Sequence, residues 1–211
     1  YLSQDPVIYE EVESGFDVHS YTAEIMGVSR QDAKAHTFKP LYGGVLGTNR
    51  EMAYYSAFRN KYQGVTEWHD KLQDEAVTSK RVVLPSGREY AFPYAKYTRY
   101  GTTVGATSIK NYPVQGFATA DLLPLALIRL HKSLRAMIRP VPQSKIINTV
   151  HDSIIMDVHP DEKDWMIELL RRSMLCIPEE CGTEFGIDFD MPIEIELKIG
   201  TDWLNLEEIA A

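Results

Sequence analysis

The sequence has little cysteine and no long apolar run, and each scarcity narrows the class of protein. Its two cysteines, Cys176 and Cys181, are separated by four residues among 211. That spacing matches no zinc or redox motif, so we expect two free thiols in a reducing compartment. The most apolar run, residues 122–128, is far too short to span a membrane, and no signal-peptide pattern is present. We therefore expect no membrane partner.

Positive charge is also scarce. The chain has 22 Lys and Arg residues against 30 Asp and Glu residues, for a net charge of −8. This balance by itself argues against a nucleic-acid partner, although an acidic protein can still carry a basic channel. Hydrophobic residues make up 44% of the sequence, enough for one large domain or two small ones. The first residue is Tyr rather than Met, so we expect a piece of something longer.

A regular spacing of cations and rings dominates the segment that follows Ser29. Arg30, Lys34, Phe38 and Tyr42 occupy every fourth position. On an α-helix such residues lie above one another, and twelve residues make a row about 18 Å long. That length suits a nucleotide, with two cations for a triphosphate and two rings for the sugar and base. A surface helix with two solvated cations and two core aromatics explains the row equally well.

The ends of this helix also have sequence signals. Ser29 followed three residues later by Asp32 is typical of a helix start, and Gly43–Gly44 is typical of a helix end. Pro40 removes a backbone donor, so we expect a kink or an irregular last turn.

A shorter helix is predicted before it, and three regions after it. Asp17 or Ser20 is the candidate cap of the short helix, which ends at Gly27. His19 lies near its start, where a structural hydrogen bond is more common than a ligand contact. Downstream, helical patterns cover residues 50–61 and 65–78. They are followed by a hairpin over residues 81–92 and a basic, aromatic loop over residues 94–105. The hairpin cations either meet a phosphate backbone or serve solubility.

The second half of the chain combines an apolar helix with strands. Asn111 and Gln115 lie at the start of that helix, where they either face a nucleic-acid minor groove or act as caps; the helix ends near Arg135–Arg139. Residues 145–150 and 154–158 predict a tight hairpin in the interior, with Asp152 at its tip. A buried carboxylate needs a partner, and a metal ion is one. A helix over residues 161–183, a strand over 193–200 and an anchoring role for Trp203 complete the prediction.

Taken together, these pieces resemble the family A DNA polymerases, which include bacterial DNA polymerase I and many phage replicases. Residues Arg30–Gly43 resemble the fingers-helix motif B, and Val150–Asp152 resembles the palm motif C. The segments Asp17–Ala23, Gln115–Asp121 and Gly200–Trp203 also match in order. The resemblance spans essentially the whole chain. It implies an α+β fold, with an antiparallel palm sheet and a helical fingers subdomain, as part of a right-hand polymerase.

The resemblance also implies a domain order and marks departures from the family. Residues 1–15 would be an incomplete palm segment following motif A, residues 16–105 the fingers and residues 106–211 the palm. Motif A, which brings the first metal-binding aspartate, would lie upstream of Leu2 and outside the chain. The departures are Ser153 where bacterial members carry Glu, Thr107 where Arg is usual, and the step Lys39–Pro40; they look phage-like.

Residue roles follow from the same resemblance. Arg30 and Lys34 would hold the triphosphate of the incoming nucleotide, with Lys34 as general acid for the pyrophosphate, and His19 would touch the phosphates. Phe38 would pack on the sugar, and Tyr42 would close on the nascent pair and the template.

The remaining roles concern DNA and metal. Asn111, Gln115 and His151 would contact the minor groove and the primer end, and Asp152 would ligate magnesium, with two Mg²⁺ ions in the complete enzyme.

The implied function is template-directed DNA synthesis, which adds dNTPs to a primer 3′ end with pyrophosphate release by a two-metal mechanism. The implied partners are primer–template DNA, dNTPs and the missing N-terminal part of the polymerase, in the cytoplasm of a bacterial or phage-infected cell. The isolated fragment is expected to be inactive. Two alternatives remain: a phage-type single-subunit RNA polymerase, which Phe38 and Gln115–Gly116 disfavour, and a non-catalytic DNA-binding accessory module.

Overall fold

The computed structural model describes residues 1–137 and 141–209, which divide into two compact units at Gln115/Gly116. The first unit holds five helices, a hairpin and most of a sixth helix: α1 Pro6–Glu13, α2 Val18–Met26, α3 Arg30–Leu41, α4 Asn49–Lys61, α5 Gln63–Ser79, β1 Arg81–Val83, β2 Glu89–Ala91 and α6 Ala106–Gly116. The predicted border between fingers and palm, at residue 105, stays a prediction, because a compact unit is not a functional subdomain.

The second unit mixes helices with two small hairpins. Its elements are a π-helix Phe117–Leu122, α7 Leu123–Ala136, β3 Lys145–Val150, β4 Ser153–Asp157, a 3₁₀ turn Pro160–Glu162, α8 Lys163–Leu175, α9 Ile177–Phe185, β5 Leu197–Ile199 and β6 Glu207–Ile209. The predicted end of the apolar helix near Arg135 agrees with α7, while Arg139 lies outside the described residues. No helix in the described ranges is long and apolar enough to span a membrane.

Local capping explains why the helices begin and end where they do. The Asp17 carboxylate accepts the backbone N–H groups of His19 and Ser20 at the start of α2, and Gly27 ends that helix at φ 59°. The Ser29 hydroxyl accepts the N–H of Asp32 at the start of α3. The predicted helix starts are therefore confirmed, and Asp17 rather than Ser20 is the first cap.

The first unit is held together by an aromatic core. Five of its buried members belong to α2 and α4 or to the junction with α5, and the cluster comprises Met26, Tyr54, Tyr55, Phe58, Tyr62 and Val65. A second cluster joins α5 and α6 to the hairpin β1–β2 through Leu72, Ala76, Val82, Ala95 and Ile109. Large buried side chains supply most of the hydrophobic stabilisation of such a unit. This core fixes α3 and α6, which carry most of the predicted site residues.

The predicted hairpin with Asp152 at its tip is confirmed, but its interior location is wrong. β3 and β4 pair antiparallel with Val150 opposite Ser153, so His151 and Asp152 form the loop. Five of the six β3 residues are exposed. The strands in the described ranges form three two-stranded sheets. Within these ranges, no third strand therefore pairs with either edge of the β3–β4 hairpin. The β-rich composition of these two runs identified the strands without revealing their burial.

Three further predictions in the second half are corrected. Asn111 and Gln115 lie inside α6 rather than at a helix start, because the helix begins earlier, at Ala106. The helix predicted over 161–183 is two helices that meet at Cys176, since Pro178 cannot donate a backbone hydrogen bond. Trp203 does not anchor the chain end, because it is 67% exposed.

The last strands and the two cysteines complete this half of the chain. The strand predicted over 193–200 is only Leu197–Ile199, paired with Glu207–Ile209. Both cysteines are free thiols, as predicted.

Candidate functional site

The predicted row of four residues forms along α3 with one change at its end. Arg30, Lys34 and Phe38 lie on the helix, and Tyr42 is its C-terminal cap residue. Pro40 leaves the last turn irregular, as expected, since the N–H of Gly43 bonds to the Pro40 carbonyl three residues back.

The aromatic members of the site contact one another in sequence, His19 with Phe38 and Phe38 with Tyr42. The rings of Phe38 and Tyr42 stack with centroids 6.2 Å apart and an angle of 17°. The His19 ring meets the edge of Phe38 at 5.3 Å. Phe38 is 41% exposed, so it is not a core residue. The interpretation of the row as core aromatics is therefore wrong for Phe38, and an open apolar face is available to a ligand.

A buried network of hydroxyls fixes the first of these rings, that of His19. The His19 Nδ1 lies 3.2 Å from the Thr37 hydroxyl, which lies 3.0 Å from the Thr22 hydroxyl. Thr22 is in turn 2.7 Å from the Tyr54 hydroxyl of α4. Both threonines are fully buried, where an unmade hydrogen bond is costly. The network therefore locks α2, α3 and α4 together and holds the His19 ring in place.

Arg30 has a partner that the sequence did not predict. Its Nε donates to Asp17 Oδ2 at 2.8 Å, and its Nη2 donates to Asp17 Oδ1 at 3.2 Å. The hydrogen bonds from Arg30 and Ser20 hold the pKa of Asp17 well below its usual range, and Asp17 raises the pKa of Arg30. The only sequence signal was the role of Asp17 as a cap. A guanidinium has five N–H donors, so three remain for an anion.

Lys34 and His19 differ from Arg30 in their electrostatics. Lys34 is half-buried and has no carboxylate within ion-pair distance in the described ranges. Burial lowers the pKa of His19, and the nearby Arg30 and Lys34 charges lower it further, while Asp17 opposes the shift. The charge of Lys34, which no nearby carboxylate compensates in the described ranges, favours binding of an anion.

Helix α6 brings its polar residues to the far end of the row. The Gln115 side-chain amide donates to the Tyr42 hydroxyl at 2.7 Å. Asn111 lies one turn earlier, and its buried Oδ1 has no hydrogen-bond partner in the described part of the chain. Lys110, which sequence reasoning missed, covers Gly43 so closely that a Cβ there would collide with it, and burial lowers its pKa. The structure thus brings Gln115 and Tyr42 together, and the contact of Asn111 and Gln115 with a minor groove stays a prediction.

The last turn of α3 is fixed by a buried histidine. His69 Nε2 lies 2.9 Å from the Leu41 carbonyl. Since a carbonyl only accepts, the ring must donate through Nε2–H. Burial is the main reason why the pKa of His69 falls to about 4, so the ring is neutral at pH 7.

His151 and Asp152 belong to the second unit, where both are exposed in the two-residue loop between β3 and β4. His151 has φ 53°, which is uncommon for a residue other than glycine. The Asp152 carboxylate is of the ligand type that Mg²⁺ prefers. In the described ranges, however, no group of three His, Cys, Asp or Glu residues could hold a metal ion. Asp152 therefore fits one ligand position and not a complete site.

Comparison with known structures defines the fold as that of a polymerase domain. The POL domain of Pol1 from M. smegmatis, in a complex with DNA primer–template and dNTP, matches with a TM-score of 0.73 and 22% identity. The match covers 92% of this chain and 35% of that chain.

Sequence comparison gives the family. DNA polymerase I of Aquifex aeolicus is 26% identical over 95% of this chain, and that of Lactococcus lactis subsp. lactis is 29% identical over 96%. The thermostable DNA polymerase I of Thermus thermophilus is 27% identical over 99%. The chain spans 36%, 24% and 26% of the length of these relatives, respectively. The profile of DNA polymerase family A matches residues 1–205, and the chain belongs to this family.

These relatives are bacterial. The phage-like character expected from Ser153, Thr107 and Lys39–Pro40 stays a prediction.

Proposed function

We propose that this chain is part of a template-directed DNA polymerase that adds dNTPs to a primer 3′ end and releases pyrophosphate. The observation that carries the proposal is the open face of α3. There Lys34, which has no ion-pair partner in the described ranges, precedes the exposed ring of Phe38 and the half-buried ring of Tyr42 that stacks with it. Membership of DNA polymerase family A supports it and disfavours the RNA polymerase alternative. The partners proposed for the complete protein are primer–template DNA and dNTPs.

The residues of α2 and α3 would divide the work on the incoming nucleotide. Arg30 and His19 would bind its phosphates, and Lys34 would neutralise and protonate the departing pyrophosphate. Phe38 offers an apolar face without a hydroxyl to the sugar. Holding the triphosphate and sugar in one orientation lowers the entropic part of the barrier.

The groups at the end of the row would act on the DNA. Tyr42, held by Gln115, would pack on the nascent pair, and the unsatisfied Asn111 oxygen has an acceptor to offer a minor-groove donor. We assign His151 to the primer end.

Asp152 would supply one magnesium ligand. When bound, two Mg²⁺ ions stabilise the attacking and leaving oxygens of an in-line displacement. The carboxylate of motif A would come from a segment outside these 211 residues.

Primer extension separates the three candidate functions. We expect a polypeptide that joins this chain to a family A segment carrying motif A to extend a primer with dNTPs and to use NTPs poorly. The 211-residue chain alone should not extend the primer, because Asp152 lacks the companion carboxylate. Efficient use of NTPs would favour the RNA polymerase alternative. No extension by the joined polypeptide, with DNA binding intact, would favour the accessory module. Extension by the isolated chain would direct attention to Glu10, Glu11 and Glu13 as substitutes.

A further inference from the structure

The hairpin β1–β2 and the loop after it carry positive charge in an otherwise acidic chain. Residues 80–105 contain five cations and a single acid, Glu89, for a net charge of +4. The whole chain has −8, so the remaining residues sum to −12. The cations are Lys80, Arg81, Arg88, Lys96 and Arg99. Such a local reversal of charge is the electrostatic footprint of a polyanionic partner.

Three tyrosines interleave with the last two of these cations. Tyr94 is 84% exposed, Tyr100 is 74% exposed and Tyr97 is 50% exposed. The Arg99 guanidinium lies 4.6 Å from the centre of the Tyr100 ring. Lys96 is exposed and forms no ion pair within the described ranges. We call residues 94–104 the tyrosine loop.

Hydrogen bonds close the tip of the tyrosine loop, so the backbone that carries the exposed rings has a defined turn. The Gly101 N–H bonds to the Thr98 carbonyl at 3.0 Å, and the hydroxyls of Thr98 and Thr102 are 2.7 Å apart. Gly101 has φ 74°, which favours glycine. Below the tip, the Val104 N–H bonds to the Lys96 carbonyl at 3.0 Å.

The base of the loop is also tied down. Ala95 belongs to a buried core cluster, and its carbonyl accepts a hydrogen bond from Lys80 at 2.6 Å. The Tyr97 hydroxyl donates to Asp74 of α5. A surface that is ordered before binding loses little conformational entropy when a ligand arrives.

We infer that the tyrosine loop binds the unpaired template strand, with bases stacked on Tyr94 and Tyr100 and phosphates near Lys96 and Arg99. Exposed rings between cations are the means by which proteins hold single-stranded nucleic acid without reading its sequence. Duplex DNA hides the faces of its bases, so cations alone would suffice for it. The inference rests on the proposed function, which supplies a template, and deepens it by assigning the surface for the unpaired part.

The test compares three fluorescein-labelled probes by anisotropy with the 211-residue chain. The probes are a blunt duplex, the same duplex with an unpaired 5′ template extension, and the extension alone as single strand. The double variant Tyr94→Ala/Tyr100→Ala removes both rings, and Tyr94→Phe/Tyr100→Phe keeps the rings without the hydroxyls. Trp203→Ala removes an exposed ring elsewhere, and thermal unfolding shows which variants are folded.

We expect the alanine double variant to bind the single strand at least about 10-fold more weakly, since each stacked base contributes roughly a 5- to 150-fold change. The phenylalanine double variant and Trp203→Ala should bind it as the unchanged chain does, and affinity for the blunt duplex should change little. Arg99→Gln should reduce the salt dependence of single-strand binding, by a slope of about 0.7 for one lost phosphate contact.

Equal single-strand binding by the alanine double variant and the unchanged chain would overturn the inference while leaving the proposed polymerase function intact. An equal loss on all three probes would also overturn it, because the surface would then serve duplex DNA. If the unchanged chain bound none of the probes, the DNA partner in the proposed function would fail as well. A folded alanine variant that lost affinity only for the single strand and the extended duplex would support the assignment.

Discussion

At the residue scale, Arg30 and Lys34 differ in what holds them although they are one turn apart. Arg30 donates two hydrogen bonds to the Asp17 carboxylate, and Lys34 has no carboxylate partner among the residues that the structure describes. A guanidinium held in place by a carboxylate can bind a phosphate at a fixed position. A free lysine on a flexible stem can follow charge as it develops on a leaving group.

Kinetics should separate these two cations. In the complete polymerase, Lys34→Ala should lower kcat by about 10²–10³, as loss of one preorganised electrostatic contact does, while Arg30→Ala should mainly raise KM for dNTP. Single-turnover measurements with saturating dNTP isolate the chemical step. If Lys34→Ala raised KM alone, it would contribute only to binding and its role toward the pyrophosphate would be wrong.

The charge of Asp17 should affect nucleotide binding through Arg30. Asp17→Asn keeps a side-chain oxygen that can cap α2 but removes the negative charge of the ion pair with Arg30. We expect KM for dNTP to rise by up to about 5-fold, the range for an exposed ion pair, with kcat unchanged. In an Arg30→Ala background the same substitution should have no further effect. Tighter dNTP binding by Asp17→Asn would instead mean that Asp17 competes with the triphosphate.

At the scale of elements, α3 is positioned from both ends. Its start is tied to α2 through Asp17, and its last turn is tied to α5 through the bond from His69 to the Leu41 carbonyl. The stability of this second contact depends on pH, because His69 is buried in its neutral form. Burial lowers its pKa from 6.5 to about 4.

The pH dependence of stability follows from that shift. Between pH 6.5 and about 4 the unfolded chain binds a proton at His69 and the folded chain does not. The contribution of His69 to the free energy of unfolding is therefore complete above pH 6.5 and falls as the pH drops toward 4. We expect the free energy of unfolding to fall by about 2–3 kcal/mol more in the unchanged chain than in His69→Gln between pH 7.5 and 4.5. The glutamine keeps an N–H donor and does not titrate. Urea unfolding at both pH values measures this, and equal losses would show that His69 does not couple folding to protonation.

Sequence reasoning located most helices because their signals are local. Ser29 and Asp17 bond to backbone groups two or three residues away, so their roles are visible without the fold. The start of α6 at Ala106 has no comparable signal, and Asn111 was therefore placed at a helix start. The break at Cys176 was missed because α8 and α9 share one apolar pattern.

Contacts between residues far apart in the sequence could not be predicted from local patterns. The pair Asp17–Arg30 spans thirteen positions and requires α2 and α3 to pack together. Burial is likewise a property of the assembled fold, which is why the exposure of β3 and of Trp203 was not predicted. The row Arg30–Tyr42 was predictable because helical geometry alone sets its spacing.

At the scale of the whole molecule, the predicted chemistry is divided between the two units. The nucleotide row and the tyrosine loop belong to the first, and the candidate magnesium ligand Asp152 belongs to the second. The described residues alone provide no complete metal site. In the proposed function, Asp152 would therefore need companion metal ligands from outside the described residues, whereas the row on α3 lies wholly within them.

The most direct measurement concerns the sugar selectivity of Phe38 in the complete polymerase. Phe38→Tyr would add a hydroxyl to a ring that packs on the sugar, where it can replace the missing 3′-hydroxyl of a dideoxynucleotide and donate to the substrate phosphate. A hydrogen bond to a charged group changes discrimination by about 10- to 100-fold. We predict that the ratio of kcat/KM for ddNTP to kcat/KM for dNTP rises by this factor, with dNTP use nearly unchanged. An unchanged ratio in a folded, active variant would remove Phe38 from the nucleotide site and contradict the proposed role of the row from Arg30 to Tyr42.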